Sequence, residues 1–178
     1  MRVISGKYKG KNLIGFDIDG TRPTMDRVKE SLFGIIQNYV KDSKVLDLFA
    51  GSGSLGIEAL SNGANECYFF DNNVELINII KKNTIGMNGV HIMKSDYKNS
   101  LELLKNSNIK FDIIFLDPPY KLNLINDCLD IINNYSLLSD NGIIVCEYEN
   151  ENITTDKYEL IKEKKYGSKN IKIYKCKI

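Results

Sequence analysis

The sequence predicts an α/β domain whose strands form a mostly parallel sheet. From about residue 44 onward, short apolar segments alternate with longer amphipathic segments, which is the order expected of strand–helix repeats. The short segments are apolar along their whole length, as strands are when helices cover both faces of a sheet. The chain has 178 residues, enough for one domain with a single hydrophobic core.

The first forty residues predict an arm followed by a helix. Residues 2–18 contain three spaced glycines, which predict turns and therefore a short hairpin or arm. In the residues that follow, Val28, Leu32 and Ile36 recur at helical spacing and predict an amphipathic helix of roughly four turns. Thr24 is the predicted N-cap of this helix, because a threonine hydroxyl can accept from the free N–H groups of a first turn.

The rest of the chain predicts five strands that alternate with helices, and then two strands with only a turn between them. The five strands are expected at residues 45–49, 66–71, 90–96, 111–117 and 143–148. The first helix is expected at residues 55–63 and the last over roughly residues 122–135. Between them, one helix follows the second strand and runs to roughly residue 85, and another follows the third strand and runs to roughly residue 106. The last two strands meet at a turn near Gly167, so we expect them to be antiparallel to each other.

The charges are distributed unevenly, although the net charge is only +1. Residues 1–11 carry four basic residues and no acid, and residues 157–178 are also strongly basic, which leaves an acidic middle. Basic ends can hold a polyanion at the rim of a site. In residues 157–178, lysines that only protect an edge strand from aggregation are the favoured alternative. The first segment therefore supplies the candidate nucleic-acid contacts, which are Arg2, Lys7, Lys9 and Lys11.

Several classes of protein are disfavoured by composition. No apolar run approaches the length of a bilayer span, and residues 1–11 lack the apolar segment of a signal peptide, so we expect a cytoplasmic protein without membrane contact. The four cysteines form no CxxC pair, and His91 is the only histidine. We therefore expect no metal site, and a Ser–His–Asp hydrolase is poorly supported.

An aspartate stands at the end of each of the first four predicted strands. These residues are Asp47, Asp71, Asp96 and Asp117. Because ligands of open α/β sheets bind outside the carboxyl ends of the strands, the aspartates are expected to share one rim. A single aspartate there could simply cap the next helix. Four in register predict an acidic edge that suits a ligand rich in amines and hydroxyls.

The loop after the first strand contains Gly51, Gly53 and Gly56, which satisfy the GxGxxG pattern of dinucleotide sites. This pattern alone does not separate NAD from S-adenosylmethionine. The aspartate inside the strand end, Asp47, favours S-adenosylmethionine, because a carboxylate there can pair with the amino group of a methionine moiety. The loop lacks the Gly-Lys-Ser/Thr ending of a P-loop, which excludes that class of nucleotide site.

The most specific motif is Asp-Pro-Pro-Tyr at residues 117–120. Two prolines remove two N–H donors and predict a rigid, exposed turn with free carbonyl oxygens. The exocyclic amine of a nucleobase is a poor nucleophile, and a carboxylate and a fixed carbonyl can accept hydrogen bonds from its two hydrogens. Asp117 and the carbonyl of Pro118 could do so, while Tyr120 could stack on a flipped base. A plain loop is the less favoured alternative.

These motifs resemble the amino-methyltransferase branch of the class I methyltransferases and, more narrowly, the bacterial RsmD family. The segments that carry this resemblance are residues 2–13, 22–33, 45–64 and 166–174. The family methylates the N2 amine of guanine in small-subunit (16S) ribosomal RNA with S-adenosylmethionine. The resemblance implies a Rossmann-like fold with a seven-stranded, mostly parallel sheet whose last strand is antiparallel. It also implies a single methyltransferase domain over 1–178, with an RNA-facing arm and helix at 1–40 and a catalytic core at 41–178.

The resemblance assigns roles to individual residues. The implied cofactor-binding residues are Asp47, Phe49, Ala50, Gly51, Ser52, Gly53, Asp71, Asn72, Asp96 and Tyr97. Asp71 would bind the ribose and Asp96 would lie beside the adenine. The implied catalytic residues are Asp117, Pro118, Pro119 and Tyr120, and Arg22, Thr24 and Arg27 join the four basic arm residues as substrate contacts. We expect a monomer that acts on 16S rRNA within a small ribosomal subunit or an assembly intermediate.

Three alternatives remain at this stage. The Asp-Pro-Pro-Tyr motif would bind an amine whatever group carries that amine. A DNA adenine or protein glutamine methyltransferase would therefore share the motif. An NAD-binding oxidoreductase would explain the glycines and Asp71, but neither Asp47 nor residues 117–120. A non-catalytic RNA-binding or assembly factor could use the same fold.

Overall fold

A computed structural model describes residues 1–15 and 22–177, with side chains from residue 25 onward in the second range. The helices are α1 (Arg22–Val40), α2 (Ser54–Ser61), α3 (Val74–Asn83), α4 (Tyr97–Asn106) and α5 (Ile125–Asn134). The strands are β1 (Lys44–Asp47), β2 (Glu66–Asp71), β3 (Val90–Lys94), β4 (Phe111–Leu116), β5 (Leu138–Tyr148), β6 (Tyr158–Tyr166) and β7 (Lys169–Cys176).

The seven strands form one sheet in the order β3-β2-β1-β4-β5-β7-β6. Strands β1 to β5 pair in parallel, and β7 pairs antiparallel with both β5 and β6. This confirms the predicted fold class, including the antiparallel last strand. The strand order reverses between β1 and β4, so a crevice opens over their carboxyl ends, where open α/β sheets bind ligands.

Two hydrophobic clusters cover the two faces of the sheet. In one cluster, Leu32 of α1, Ile57 of α2 and Ile80 of α3 pack with strand residues such as Phe69. In the other, helices α4 and α5 cover the opposite face with residues that include Leu129. Because both faces are covered at the centre of the sheet, β4 and the second half of β5 are almost wholly buried, which is the pattern that predicted a parallel sheet. The edge strand β6 is mostly exposed.

Several element boundaries differ from those predicted, most clearly the starts of α1 and β5. Helix α1 begins at Arg22, so the prediction that Thr24 is its N-cap is wrong. A proline suits the first turn of a helix, because its missing N–H would have no partner there, and Pro23 therefore lies inside the helix. Strand β5 begins at Leu138, five residues before the predicted strand. The sequence did not indicate this earlier start, because the residues between Leu138 and the apolar part of the strand are polar or glycine.

The predicted arm forms a short hairpin-like segment over residues 1–13. An antiparallel bridge joins Arg2 to Asn12, and the turn between them contains Gly6 and Gly10, both with positive φ. Residues 16–18 of the predicted arm, and the side chains of Arg22 and Thr24, lie outside the described residues. Within residues 1–15 and 22–177, no helix is long and apolar enough to cross a bilayer.

Candidate active site

A cavity of about 720 Å³ opens over the carboxyl ends of β1, β2, β3, β4 and β5, within the size range of ligand pockets. It gathers most of the residues that the sequence predicted for a site. The predicted residues that line it are Asp47, Phe49, Ala50, Gly51, Ser52, Asp71, Asn72, Asp96, Tyr97, Asp117, Pro118, Pro119 and Tyr120. Gly53 does not line it. With φ of 85°, Gly53 instead makes the left-handed turn that leads into α2.

The glycine loop is held between the ends of β1 and β2. The Asp47 carboxylate accepts from the Gly56 N–H at 3.1 Å, and the Asp71 carboxylate accepts from the Gly51 N–H at 3.0 Å. The two carboxylates therefore fix the loop as well as the cavity wall. Gly51 has φ of 58°, and a Cβ there would meet no atom within 4 Å, so its backbone conformation is what requires glycine.

Asp47 is the most deeply buried acid of the cavity wall, with 1% of its surface exposed. Burial raises its pKa from 3.8 to about 7, the Gly56 N–H opposes that rise, and the nearby Asp71 charge adds to it. A carboxylate in this state gains strongly from a cation. An ammonium group beside it would restore its full negative charge at neutral pH.

The aspartates after β2 and β3 also serve as turn and helix caps. Asp71 accepts from the Asn73 N–H at 3.0 Å, and Asp96 is the N-cap of α4, where it accepts from the backbone and side chain of Asn99. The capping alternative is thus correct for Asp96, without removing it from the cavity wall. Each carboxylate oxygen can accept more than one hydrogen bond, so capping and ligand binding are compatible.

Two aromatic rings form the side of the cavity next to Asp96. Phe49 and Tyr97 lie with ring centroids 5.8 Å apart. The Tyr97 hydroxyl donates to Asp127 of α5 at 2.6 Å, which fixes the ring against the cavity. Asp127 lies in the first turn of α5, and no motif around it marks it in the sequence.

The Asp-Pro-Pro-Tyr turn leaves β4 at the floor of the crevice. Pro118 is buried and Pro119 is exposed, so the prediction of a wholly exposed turn is wrong for its first proline. A 3₁₀ turn (Tyr120–Leu122) begins directly after Pro119. The Tyr120 hydroxyl donates to Glu147 at 3.2 Å, which ties the end of the turn to β5.

Glu147 and Lys169 complete the floor and were missed by the sequence analysis. The Lys169 ammonium lies 3.0 Å from Glu147 Oε1, and both residues line the cavity. Glu147 stands one residue beyond Cys146, which pairs with Leu116 of β4, so it is the neighbour of Asp117 along the rim. Glu147 lies near the end of the fifth strand, as the four aspartates lie at the ends of the first four, so the same strand-end pattern marks it in the sequence.

The pKa of Asp117 on the floor of the cavity is raised well above its usual range. Burial is the main cause, and the Glu147 charge adds to it, while Lys169 opposes both. Burial lowers the pKa of Lys169, but the Glu147 contact together with the charges of Asp117 and Glu149 outweighs this effect, so the pKa is raised overall. Asp117 is therefore a stronger proton acceptor than an ordinary aspartate, and its charge state depends on these two neighbours.

Comparison with known proteins decides the family. A family model described as "Conserved hypothetical protein 95" matches residues 1–175. The "Ribosomal RNA small subunit methyltransferase D" of Haemophilus influenzae is 36% identical over 180 residues, which cover 98% of this chain and 93% of that protein. The "Putative rRNA methyltransferase YlbH" of Bacillus subtilis is 39% identical over 181 residues, with 98% of each covered. The chain belongs to the RsmD family.

Solved structures agree with membership of the RsmD family. The "Putative methyltransferase yhhF from Escherichia coli" aligns with a TM-score of 0.84 and 29% sequence identity, over 99% of this chain and 98% of that one. The fold is thus that of a class I methyltransferase. The oxidoreductase alternative rested on the glycines and Asp71 alone, and membership of the RsmD family leaves it without support.

Among the side chains that the structure describes, the basic residues predicted to contact RNA do not line the cavity. Arg2, Lys7, Lys9 and Arg27 are exposed, and Lys11 is half-buried. Arg2 lies 3.6 Å from Asp26, which does line the cavity, so the arm borders its mouth. These positions suit contacts with a substrate larger than the cavity itself.

The arm of this RsmD-family chain is fastened by a buried ion pair that the sequence did not reveal. The Lys29 ammonium lies 3.2 Å from Glu58 Oε1 and donates to the Arg2 carbonyl at 2.7 Å. Glu58 accepts in turn from the backbone N–H groups of Ile4 and Ser5 at 2.9 and 3.1 Å. The pair brings Met1 to the edge of the cavity, where it forms part of the lining.

Proposed function

We propose that this protein transfers the methyl group of S-adenosylmethionine to the N2 amine of a guanine in small-subunit (16S) ribosomal RNA. The observation that carries the proposal is the Asp-Pro-Pro-Tyr turn at the floor of a cavity that the glycine loop also lines. A turn of this kind can hold a planar amine, and the cavity above it can hold the methyl donor. Membership of the RsmD family indicates that the substrate is RNA.

The cavity suits S-adenosylmethionine in its donor and acceptor groups. Asp47 is buried, and within the described part of the chain its carboxylate accepts one hydrogen bond, from the Gly56 N–H, so an ammonium would complete its contacts. Asp71 and Asn72 offer acceptors for ribose hydroxyls, while Asp96 and Tyr97 border the space for an adenine. When bound, S-adenosylmethionine supplies an electrophilic sulfonium methyl group, and its sulfur keeps the electron pair of the broken carbon–sulfur bond.

The catalytic turn would position and activate the guanine amine. The Asp117 carboxylate and the Pro118 carbonyl accept the two N2–H groups, which turns the nitrogen lone pair toward the methyl carbon. As the N–C bond forms, N2 loses one proton, and Asp117 is the group placed to take it because burial and Glu147 raise its pKa. Stacking on Tyr120 would hold the flipped base in line, so orientation supplies most of the rate.

The RNA substrate is inferred from the relatives and from the surface. The Haemophilus influenzae relative carries small-subunit ribosomal RNA in its name, and this chain matches almost all of it. Arg2, Lys7, Lys9 and Arg27 are exposed near one end of the molecule and suit contacts with phosphates. We propose that the protein acts as a monomer on a small subunit or an assembly intermediate.

The proposal is tested by methyl transfer from labelled S-adenosylmethionine to unmethylated small subunits, comparing the native protein with Asp117→Asn. The native protein should label 16S rRNA. The variant keeps the size of the side chain but loses the charge and the proton acceptor, so kcat/KM should fall roughly 10²- to 10⁴-fold. Asp130→Asn, which makes the same change at an exposed position of α5, should leave activity unchanged.

Binding of S-adenosylhomocysteine, measured by calorimetry, separates catalysis from folding. Asp117→Asn should bind it about as well as the native protein does. Undiminished labelling by Asp117→Asn would refute the catalytic role of the turn. Labelling of DNA or of a protein by the native enzyme, with none of rRNA, would refute the substrate.

A further inference from the structure

Glu147 and Lys169 place a fixed pair of opposite charges beside the catalytic turn. Both line the cavity, their side chains are only 10% and 29% exposed, and their charged atoms lie 3.0 Å apart. Neither belongs to the motif that would hold the amine. Burying two charges is costly unless their remaining hydrogen-bonding capacity is used. A partly desolvated ion pair in a cavity wall therefore suggests that a ligand uses this capacity.

The contacts of Glu147 with described residues use one of its two carboxylate oxygens. The Tyr120 hydroxyl donates to Oε1 at 3.2 Å, and the Lys169 ammonium contacts the same Oε1. Among residues 1–15 and 22–177, no hydrogen bond to Oε2 is present, so this oxygen remains an acceptor for the occupant of the cavity. Lys169 likewise has three N–H donors and uses one of them on Glu147.

This arrangement matches the pairing edge of guanine. Along that edge guanine offers the N2 amine, then the N1–H donor, then the O6 acceptor. A site that reads it needs two acceptors followed by a donor. The floor provides Asp117 with the Pro118 carbonyl, then Glu147, then Lys169, and in the sheet Glu147 is the neighbour of Asp117.

We propose that Glu147 and Lys169 select guanine: Glu147 accepts from its N1–H, and Lys169 donates to its O6. The proposal rests on the proposed function, since it presumes that the amine held by Asp117 is N2. A base with an acceptor at N1 would face the Glu147 carboxylate without a proton between them. Sites built to hydrogen-bond a substrate group reject analogues that lack it strongly, because the buried polar groups are then left unpaired.

The test exchanges guanine for 2,6-diaminopurine at the methylated position of 16S rRNA in reconstituted small subunits. Diaminopurine keeps the N2 amine, but its N1 is an acceptor and its 6-position carries a donor. The native protein should methylate guanine at least about 10²-fold more efficiently than diaminopurine, since two hydrogen bonds are reversed. Glu147→Gln can donate to N1 of diaminopurine through its amide, so it should favour diaminopurine and reverse the ratio.

Matched variants separate base selection from packing. Glu149→Gln makes the same change two residues along the chain, at a residue that does not line the cavity, and should keep the native preference. Lys169→Met removes the donor to O6 and should narrow the ratio without reversing it. Taking the ratio of the two substrates for each variant cancels any effect of diaminopurine on RNA folding.

The outcomes distinguish this proposal from the one that it rests on. If the native protein methylates no guanine N2 in the subunit, the proposed function fails. If it methylates guanine N2 but Glu147→Gln lowers the rates on both bases equally, base selection by Glu147 is refuted and the residue only supports the turn. Reversal of the preference by Glu147→Gln alone supports the assignment.

Discussion

Asp117 illustrates how neighbouring charges control a single residue. Its pKa is raised by burial and by Glu147, and is held down by Lys169. Only the ionised carboxylate can accept a hydrogen bond from the amine and then take up the proton that the amine loses. The reaction should therefore slow as the pH falls through this raised pKa, at pH values where an exposed aspartate would still be ionised.

Lys169→Met should move this acid limb to higher pH. The substitution removes a charge that lowers the pKa of Asp117, so the carboxylate ionises only at higher pH. The measurement is the pH profile of kcat/KM. Lys172→Met, which alters a lysine on the other face of β7, should leave the limb in place. An unmoved limb in Lys169→Met would show that Asp117 does not govern it.

Asp47 should make cofactor binding depend on pH. Its pKa of about 7 means that near neutral pH it is partly protonated, whereas an ammonium group pairs only with the ionised form. The Kd of S-adenosylhomocysteine should weaken as the pH falls below 7, approaching tenfold for each pH unit. In Asp47→Asn, calorimetry should show weaker binding at pH 8 and little change with pH. A pH dependence that survives this substitution would contradict the assignment.

At the scale of elements, helix α2 shows why the third glycine of the loop is required. Gly56 has an ordinary helical φ, but a Cβ there would lie 2.4 Å from Phe69 Cε1 and 2.6 Å from Cys67 Sγ. The glycine thus allows α2 to pack closely on β2, which keeps the loop against the Asp47 carboxylate. The pattern GxGxxG predicted the turn, but only the packing shows the separate purpose of its last position.

Gly56→Ala should destabilise the fold by about 2 kcal/mol, because Phe69 is fully buried and has no space into which it can move. Gly34→Ala is the matched control. A Cβ at Gly34 in α1 would meet nothing within 4 Å, so alanine should be neutral or stabilise by up to about 1 kcal/mol. Urea unfolding measures both changes. Equal stability of the two variants would contradict the packing account.

Sequence predicted the elements well where apolar periodicity and strand-end residues were strong. The strands, the aspartate rim and the Asp-Pro-Pro-Tyr turn all follow from patterns visible in the chain. Lys169 does not, because its proximity to Glu147 depends on β7 returning antiparallel beside β5, which brings residues far apart in sequence to one rim. Helix α1 began earlier than predicted because Pro23 is tolerated within a first turn.

At the scale of the whole molecule, the ion pair Lys29–Glu58 joins the arm, α1 and α2. Glu58 is fully buried, so removing its partner leaves a buried charge. Lys29→Met should therefore lower the free energy of unfolding by about 3 kcal/mol. It should also release residues 1–14 to proteolysis before the rest of the chain unfolds. Lys81→Met, at an exposed position of α3, should change stability by less than about 0.5 kcal/mol.

If the Lys29→Met variant unfolds in one step, with the arm protected from proteolysis until then, the ion pair stabilises the whole fold and does not hold the arm separately. The distinction matters for function because the arm borders the cavity through Met1, which lines it, and through Arg2, which contacts Asp26 of α1. A released arm should weaken binding of the small subunit more than binding of S-adenosylhomocysteine. Filter binding of labelled subunits, beside calorimetry of the cofactor product, measures the two effects separately.

The most direct test of the central claim is mass spectrometry of nucleosides from 16S rRNA after small subunits have reacted with the protein and S-adenosylmethionine. The account predicts that N2-methylguanosine forms in the native reaction and is nearly absent with Asp117→Asn. A methyl group on another atom of guanine, or on a different base, would contradict the geometry inferred for the catalytic turn. N2-methylguanosine in equal amount from both proteins would contradict the role of Asp117.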